Sequence, residues 1–64
     1  MDNKNSILSE MIRLEKSLIK MEYKMRRLFE ESQGNPDQDT VIEYNRIMQV
    51  DYANLEILMK KYGE

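Results

Sequence analysis

This sequence contains no cysteine, no histidine and no tryptophan, and it has only one proline and two glycines among its 64 residues. Without cysteine and histidine the chain has no disulfide framework, no zinc site built on those ligands and no Ser–His–Asp triad. Ten basic and twelve acidic residues nearly cancel, which excludes the strongly basic class of nucleic-acid-binding proteins. Apolar runs long enough for a membrane span or a leader peptide are also absent. We expect a cytoplasmic protein without a cofactor or a metal.

One break divides the chain into two halves. Gly34, Asn35 and Pro36 stand together in the middle, and the other glycine, Gly63, lies near the end. Gly34 suits a left-handed position just past a helix end, while Asn35 and Pro36 suit an N-cap and a first helical position. The pattern predicts a helix over about 6–33, a turn at 34–35 and a second helix over about 36–62.

Each half carries a row of mostly apolar residues with the heptad spacing of packed helices. The two rows are Ile7, Met11, Leu14, Leu18, Met21, Met25 and Leu28, and Val41, Tyr44, Met48, Asp51, Leu55, Leu58 and Tyr62. Folding the chain at the break pairs the rows one for one, from Leu28 with Val41 beside the turn to Ile7 with Tyr62 at the open end. The sequence therefore predicts an all-α, antiparallel two-helix coiled-coil hairpin that forms one domain over residues 1–64.

Apolar residues outside these rows predict a further interface. They are Leu8, Ile12, Ile19 and Phe29 on the first helix, and Ile47, Val50 and Ile57 on the second. A two-helix hairpin has little core to offset the entropy of folding, and exposed apolar stripes usually mark an interface. We therefore expect either a homodimer that forms a four-helix bundle or a larger helical protein as the partner.

Asp51 is the one charged residue in the two predicted rows. A carboxylate there needs a partner or access to water, and Ser17, Asn54 or a lysine can supply the partner. Asp51 either fixes the register of the helices or acts as a docking or catalytic carboxylate. Because a thin hairpin offers no pocket and no second titratable group converges on Asp51, we predict that the protein is not an enzyme.

A row of basic residues follows the outer side of the first helix. It consists of Arg13, Lys16, Lys20, Lys24 and Arg27. A solvated helix face is one interpretation, and a surface for an acidic protein or for structured RNA is the other. Tyr23 is the only aromatic residue interleaved with this row, so recognition of single-stranded RNA is not favoured. We expect no small-molecule substrate.

The overall plan of the chain resembles three groups of small bacterial hairpins, and its length, short turn, heptads and basic row are similar to those of the first group. The first is the plasmid copy-number regulator of the Rop type, a dimeric four-helix bundle that binds paired RNA loops. The second is the co-chaperone of type III secretion needle subunits, which docks to a larger partner. The third is the sporulation-type aspartyl-phosphate phosphatase, whose Ser-Gln-x-Leu-Asp motif aligns with residues 47–51 here and matches only at Asp51.

These observations predict a small noncatalytic protein–protein interaction module, namely a regulator, adaptor or co-chaperone that acts through helix packing. The Rop-type resemblance implies an alternative, an RNA-binding dimer that uses the basic row on the first helix. The phosphatase resemblance implies another, in which Asp51 acts on a phosphorylated response regulator.

Overall fold

A computed structural model describes residues 3–64 and contains two α-helices. Helix α1 spans Asn3–Glu31, helix α2 spans Gln38–Gly63, and residues 32–37 connect them. The helices pack against each other as a hairpin that measures 49 × 14 × 14 Å. The predicted all-α hairpin is therefore confirmed. Residues 1 and 2 of the predicted domain lie outside the described residues.

Helix α1 begins earlier than the predicted start at about residue 6. Its first turn has no apolar periodicity, but the ammonium nitrogen of Lys4 lies 5.4 Å from the centre of the Tyr62 ring on α2. A cation over an aromatic face is attracted by the ring quadrupole. This contact gives the first turn of α1 an anchor on α2 that the apolar pattern does not show.

Helix α1 ends in a Schellman motif, earlier than the predicted end at about residue 33. The Gly34 N–H donates to the Phe29 carbonyl over 2.8 Å, and the Gln33 N–H donates to the Glu30 carbonyl over 3.2 Å. The φ angles of Gln33 and Gly34 are both positive, at 56° and 82°. The left-handed conformation predicted for Gly34 is confirmed, but Gln33 takes the first left-handed position and so ends the helix sooner.

Helix α2 begins after Asp37, which corrects the prediction of an N-cap at Asn35 and a helix from about residue 36. The Asp37 carboxylate accepts hydrogen bonds from the Thr40 backbone N–H over 3.1 Å and from the Thr40 hydroxyl over 2.9 Å. The Asp37 carboxylate thus satisfies a backbone N–H of the first turn, which is the role that the sequence assigned to Asn35. Asn35 and Pro36 therefore belong to the connection, where Pro36 is buried. The turn occupies residues 32–37 rather than 34–35.

The core of the hairpin is a single row thick. Among residues 3–64, the buried apolar side chains of the helices are Leu14, Leu18 and Met21, and α2 contributes none. The other residues of the two predicted rows are half-buried, except Tyr62 at the open end, so the predicted seam is confirmed. The chain exposes 5198 Å², whereas a compact protein of 7.7 kDa exposes about 4300 Å². Among residues 3–64, neither helix is long and apolar enough to cross a membrane.

Candidate functional site in the two faces of the hairpin

The hairpin has two broad faces, one on each side of the seam. Residues seven positions apart lie in one row along a packed helix, so a few contacts locate each row. The Ser17 hydroxyl of α1 donates to Oδ2 of Asp51 on α2 over 2.7 Å. On the same side, a groove is lined by both helices through Glu10, Arg13, Leu14, Asn54, Ile57 and Leu58. These contacts place the row of Arg13 and the row of Ile57 on one face.

We call this side the mixed face, because α1 supplies its charge and α2 supplies its apolar surface. It consists of Arg13, Lys20, Lys24 and Arg27 from α1, and of Ile47, Val50 and Ile57 from α2. A groove of about 500 Å³ runs along it, with Lys20, Lys24 and Arg27 on one wall and Tyr44 on the other. Lys16, the remaining member of the predicted basic row, lies on the outermost side of α1.

The opposite side is an apolar face that runs from the open end of the hairpin to the turn. It consists of Leu8, Ile12, Ile19 and Phe29 from α1, and of Ile42, Tyr52 and Met59 from α2. The exposed fraction of these side chains ranges from 39% for Leu8 to 65% for Ile19. Large apolar side chains from both helices thus lie together on this side, where a monomer leaves them in water. Their rows also carry four charged residues, namely Glu15, Glu22, Arg26 and Glu56.

The structure divides the interface residues predicted from the sequence between these two faces. Those of α1, namely Leu8, Ile12, Ile19 and Phe29, lie on the apolar face. Those of α2, namely Ile47, Val50 and Ile57, lie on the mixed face. Sequence reasoning missed Ile42, Tyr52 and Met59, because it weighed each helix separately. The signal that would have found them is the flank of the seam that each residue occupies once the helices are antiparallel.

Asp51 lies half-buried in the seam, at the edge that borders the mixed face. Ser17 is its hydrogen-bond partner, one of the three groups that the sequence suggested. The charge of Asp51 also reaches Arg13, whose pKa is raised chiefly by the hydrogen bond and the charge of Glu10 and further by Asp51. Within residues 3–64, no buried side-chain nitrogen or oxygen lacks a partner.

Ion pairs within each helix engage the arginines of the mixed face. Arg13 pairs with Glu10, and Arg27 pairs with Glu31 over 2.7 Å. The Arg27 guanidinium also lies 5.9 Å from the centre of the Tyr23 ring. By contrast, Lys20 and Lys24 at the centre of the face make no ion pair in the described part of the chain. Their ammonium groups are the free charges of the α1 row on this face.

Comparison with known proteins gives no match: no protein-family model, no curated protein and no solved structure matches this chain. The two faces are therefore interpreted from their own chemistry. Among residues 3–64, no group of three or more acidic side chains is placed to hold a metal ion.

Proposed function

We propose that this protein is a noncatalytic protein–protein interaction module of the cytoplasm, a small regulator, adaptor or co-chaperone that works as a homodimer. Two hairpins pack through their apolar faces and form a four-helix bundle. The observation that carries the proposal is the apolar face itself, which extends from Leu8 and Met59 at the open end to Phe29 and Ile42 near the turn.

The dimensions of the face support a second copy as its occupant. A face 49 Å long and 14 Å wide presents roughly 700 Å² in projection, close to the about 800 Å² that each partner buries in a standard interface. The same apolar residues are present on both copies, so a two-fold axis makes the surface self-complementary. Within residues 3–64 the helices of a single hairpin bury three apolar side chains, and a second hairpin would supply a further layer of core.

The place of Asp51 supports a structural role for this carboxylate rather than a catalytic one. Its Oδ2 accepts a hydrogen bond from Ser17 on the opposite helix, and the half-buried group lies within the seam. One polar pair inside an apolar seam penalises helix registers that separate its members. We assign Asp51 to fixing the register of α1 against α2.

Sedimentation equilibrium over a wide concentration range tests the dimer, with helicity followed by circular dichroism on the same samples. We expect a helical dimer of twice 7.7 kDa. The double variant Ile12→Ser/Ile19→Ser removes apolar area from the apolar face and should shift the dimer toward monomer. The matched control, Val50→Ser/Ile57→Ser, removes similar residues from the mixed face and should leave the mass unchanged.

Two results would overturn the proposal of a homodimer joined through the apolar face. One is a monomeric wild-type protein at every concentration, whether stably helical or largely unfolded. The other is equal dissociation of the two double variants, which would mean that the apolar face is not the surface that joins the copies.

A further inference from the structure

The mixed face places free positive charge beside exposed apolar side chains. Its α1 row centres on Lys20 and Lys24, and its α2 row consists of Ile47, Val50 and Ile57 with exposed fractions of 36%, 54% and 52%. Lys24 lies seven residues after Ser17 on α1, and Ile47 lies seven residues before Asn54 on α2. Both therefore belong to the rows that flank the seam on this side. The two chemistries therefore lie next to each other across one shallow groove.

Some basic residues of this face are ion-paired and others are not. Arg13 and Arg27 are paired with Glu10 and Glu31 on their own helix, whereas Lys20 and Lys24 have no ion-pair partner within residues 3–64. The acidic pairing residues stand toward the two ends of α1. The centre of the α1 row thus carries unneutralised positive charge, whereas the arginines at its two ends are paired.

We infer that the mixed face binds an acidic amphipathic helix of another protein. The apolar side of such a helix would cover Ile47, Val50 and Ile57, and its carboxylates would meet the ammonium groups of Lys20 and Lys24. Helices in grooves are anchored by apolar residues at spacings of three and four, and complementary charge fixes their orientation. From Arg13 to Arg27 the face spans about 21 Å at 1.5 Å per residue, which suits a helix of about four turns.

The apolar row favours a protein helix over a nucleic acid. Phosphates would be attracted by Lys20 and Lys24, but a duplex gains nothing from covering the exposed side chains of Ile47, Val50 and Ile57. An amphipathic helix uses both rows at once. The mixed face is on the opposite side from the apolar face, so this surface is open whether or not the hairpin forms the proposed dimer.

Fluorescence anisotropy with a labelled model peptide tests the inference on the full chain. The probe is a 14-residue helical peptide with leucines at spacings of three and four along one side and glutamates beside them. We expect binding that weakens as salt is added. One control peptide has lysine in place of each glutamate, and the other has serine in place of each leucine; we expect neither to bind.

Two double variants separate the contributions of the two rows. Lys20→Gln/Lys24→Gln removes the free charges, and Ile47→Ser/Val50→Ser removes apolar area. We expect each to weaken binding of the glutamate peptide by about tenfold, the effect of about 1.4 kcal/mol. The control Lys16→Gln/Lys60→Gln removes two lysines away from the mixed face and should bind as the wild type does. Circular dichroism and sedimentation confirm that every variant keeps its fold and its mass.

Several outcomes would overturn the inference. No binding of the glutamate peptide would do so, as would equal binding to all variants. Loss of binding in the lysine variant alone, together with binding of a duplex RNA probe that ignores the Ile47→Ser/Val50→Ser change, would assign the surface to nucleic acid instead. All of these outcomes leave the dimer unaffected, because that proposal depends on the mass of the protein and on the opposite face.

Discussion

Ser17 and Asp51 join α1 to α2 near the middle of the hairpin through a hydrogen bond of 2.7 Å. A half-buried carboxylate loses part of its hydration, which costs free energy, and the hydrogen bond from the Ser17 hydroxyl offsets only some of that cost. The pair therefore contributes more to the choice of register than to the total free energy of folding. A change that leaves Asp51 without its partner should cost more than a change that removes the carboxylate.

We predict opposite effects for two changes at this pair. Ser17→Ala should lower the free energy of unfolding by about 1 kcal/mol, because Asp51 loses its donor. Asp51→Leu should raise the melting temperature, by about 4–8 °C for each kcal/mol gained, or change the oligomeric state. Thermal melts at one fixed protein concentration measure both changes, and Ser9→Ala at an exposed position of α1 controls for helix propensity. A lower melting temperature for Asp51→Leu at unchanged mass would contradict the register role.

Glu10 and Arg13 predict a local dependence on pH. The hydrogen bond from Arg13 holds the pKa of the exposed Glu10 carboxyl below its ordinary value of 4.5. A lowered pKa in the folded state means that the pair stabilises the helix above this ordinary value and stops doing so as the pH falls through the folded value. Glu10→Gln should therefore melt slightly below the wild type at neutral pH. The difference should vanish in strong acid, and a difference that persists there would contradict the assignment.

At the scale of the elements, the ends of the helices depend on competition between local groups. Asp37 is the N-cap of α2, and its carboxylate accepts hydrogen bonds from the backbone N–H and the hydroxyl of Thr40. Gln33 ends α1 in a left-handed conformation, which a residue with a Cβ adopts at a cost of roughly 1–2 kcal/mol. The connection is thus set by one favourable cap and one strained residue.

Three substitutions test this account of the connection. Gly34→Ala should lower the free energy of unfolding by about 1 kcal/mol, because φ is 82° while an added Cβ would meet no atom within 4 Å. Gln33→Gly should raise it by a few tenths of a kcal/mol, since glycine adopts a positive φ without a steric cost. Gly63→Ala, the control inside α2, should be neutral or slightly stabilising. Urea unfolding measures all three, and a stable Gly34→Ala variant would rule out a conformational role for Gly34.

At the scale of the whole molecule, the apolar face suggests how two hairpins meet. Arg26 is the one basic residue among its rows, and no ion pair is found for Arg26 among residues 3–64. An antiparallel pair of hairpins brings Arg26, near the turn of one copy, to the height of Glu56, near the open end of the other. A parallel pair would instead bring Arg26 of one copy to the height of Arg26 of the other.

A charge exchange tests this orientation. Arg26→Glu alone should weaken the dimer, because the new carboxylate would join Glu15, Glu22 and Glu56 on this face and like charges would repel each other across the interface. The double variant Arg26→Glu/Glu56→Arg should recover the wild-type dissociation constant within a few-fold, as measured by sedimentation equilibrium. Failure of the second change to rescue the first would argue for a parallel arrangement.

The sequence by itself determined the two helices, the break between them and the seam. Heptad spacing and the Gly34-Asn35-Pro36 break depend on residues close together in the chain, so the sequence alone shows them. Only the tertiary structure decided that Ser17, rather than Asn54 or a lysine, meets Asp51. This outcome depends on how closely the side chains of two helices approach across the seam, a distance that no period within one helix contains.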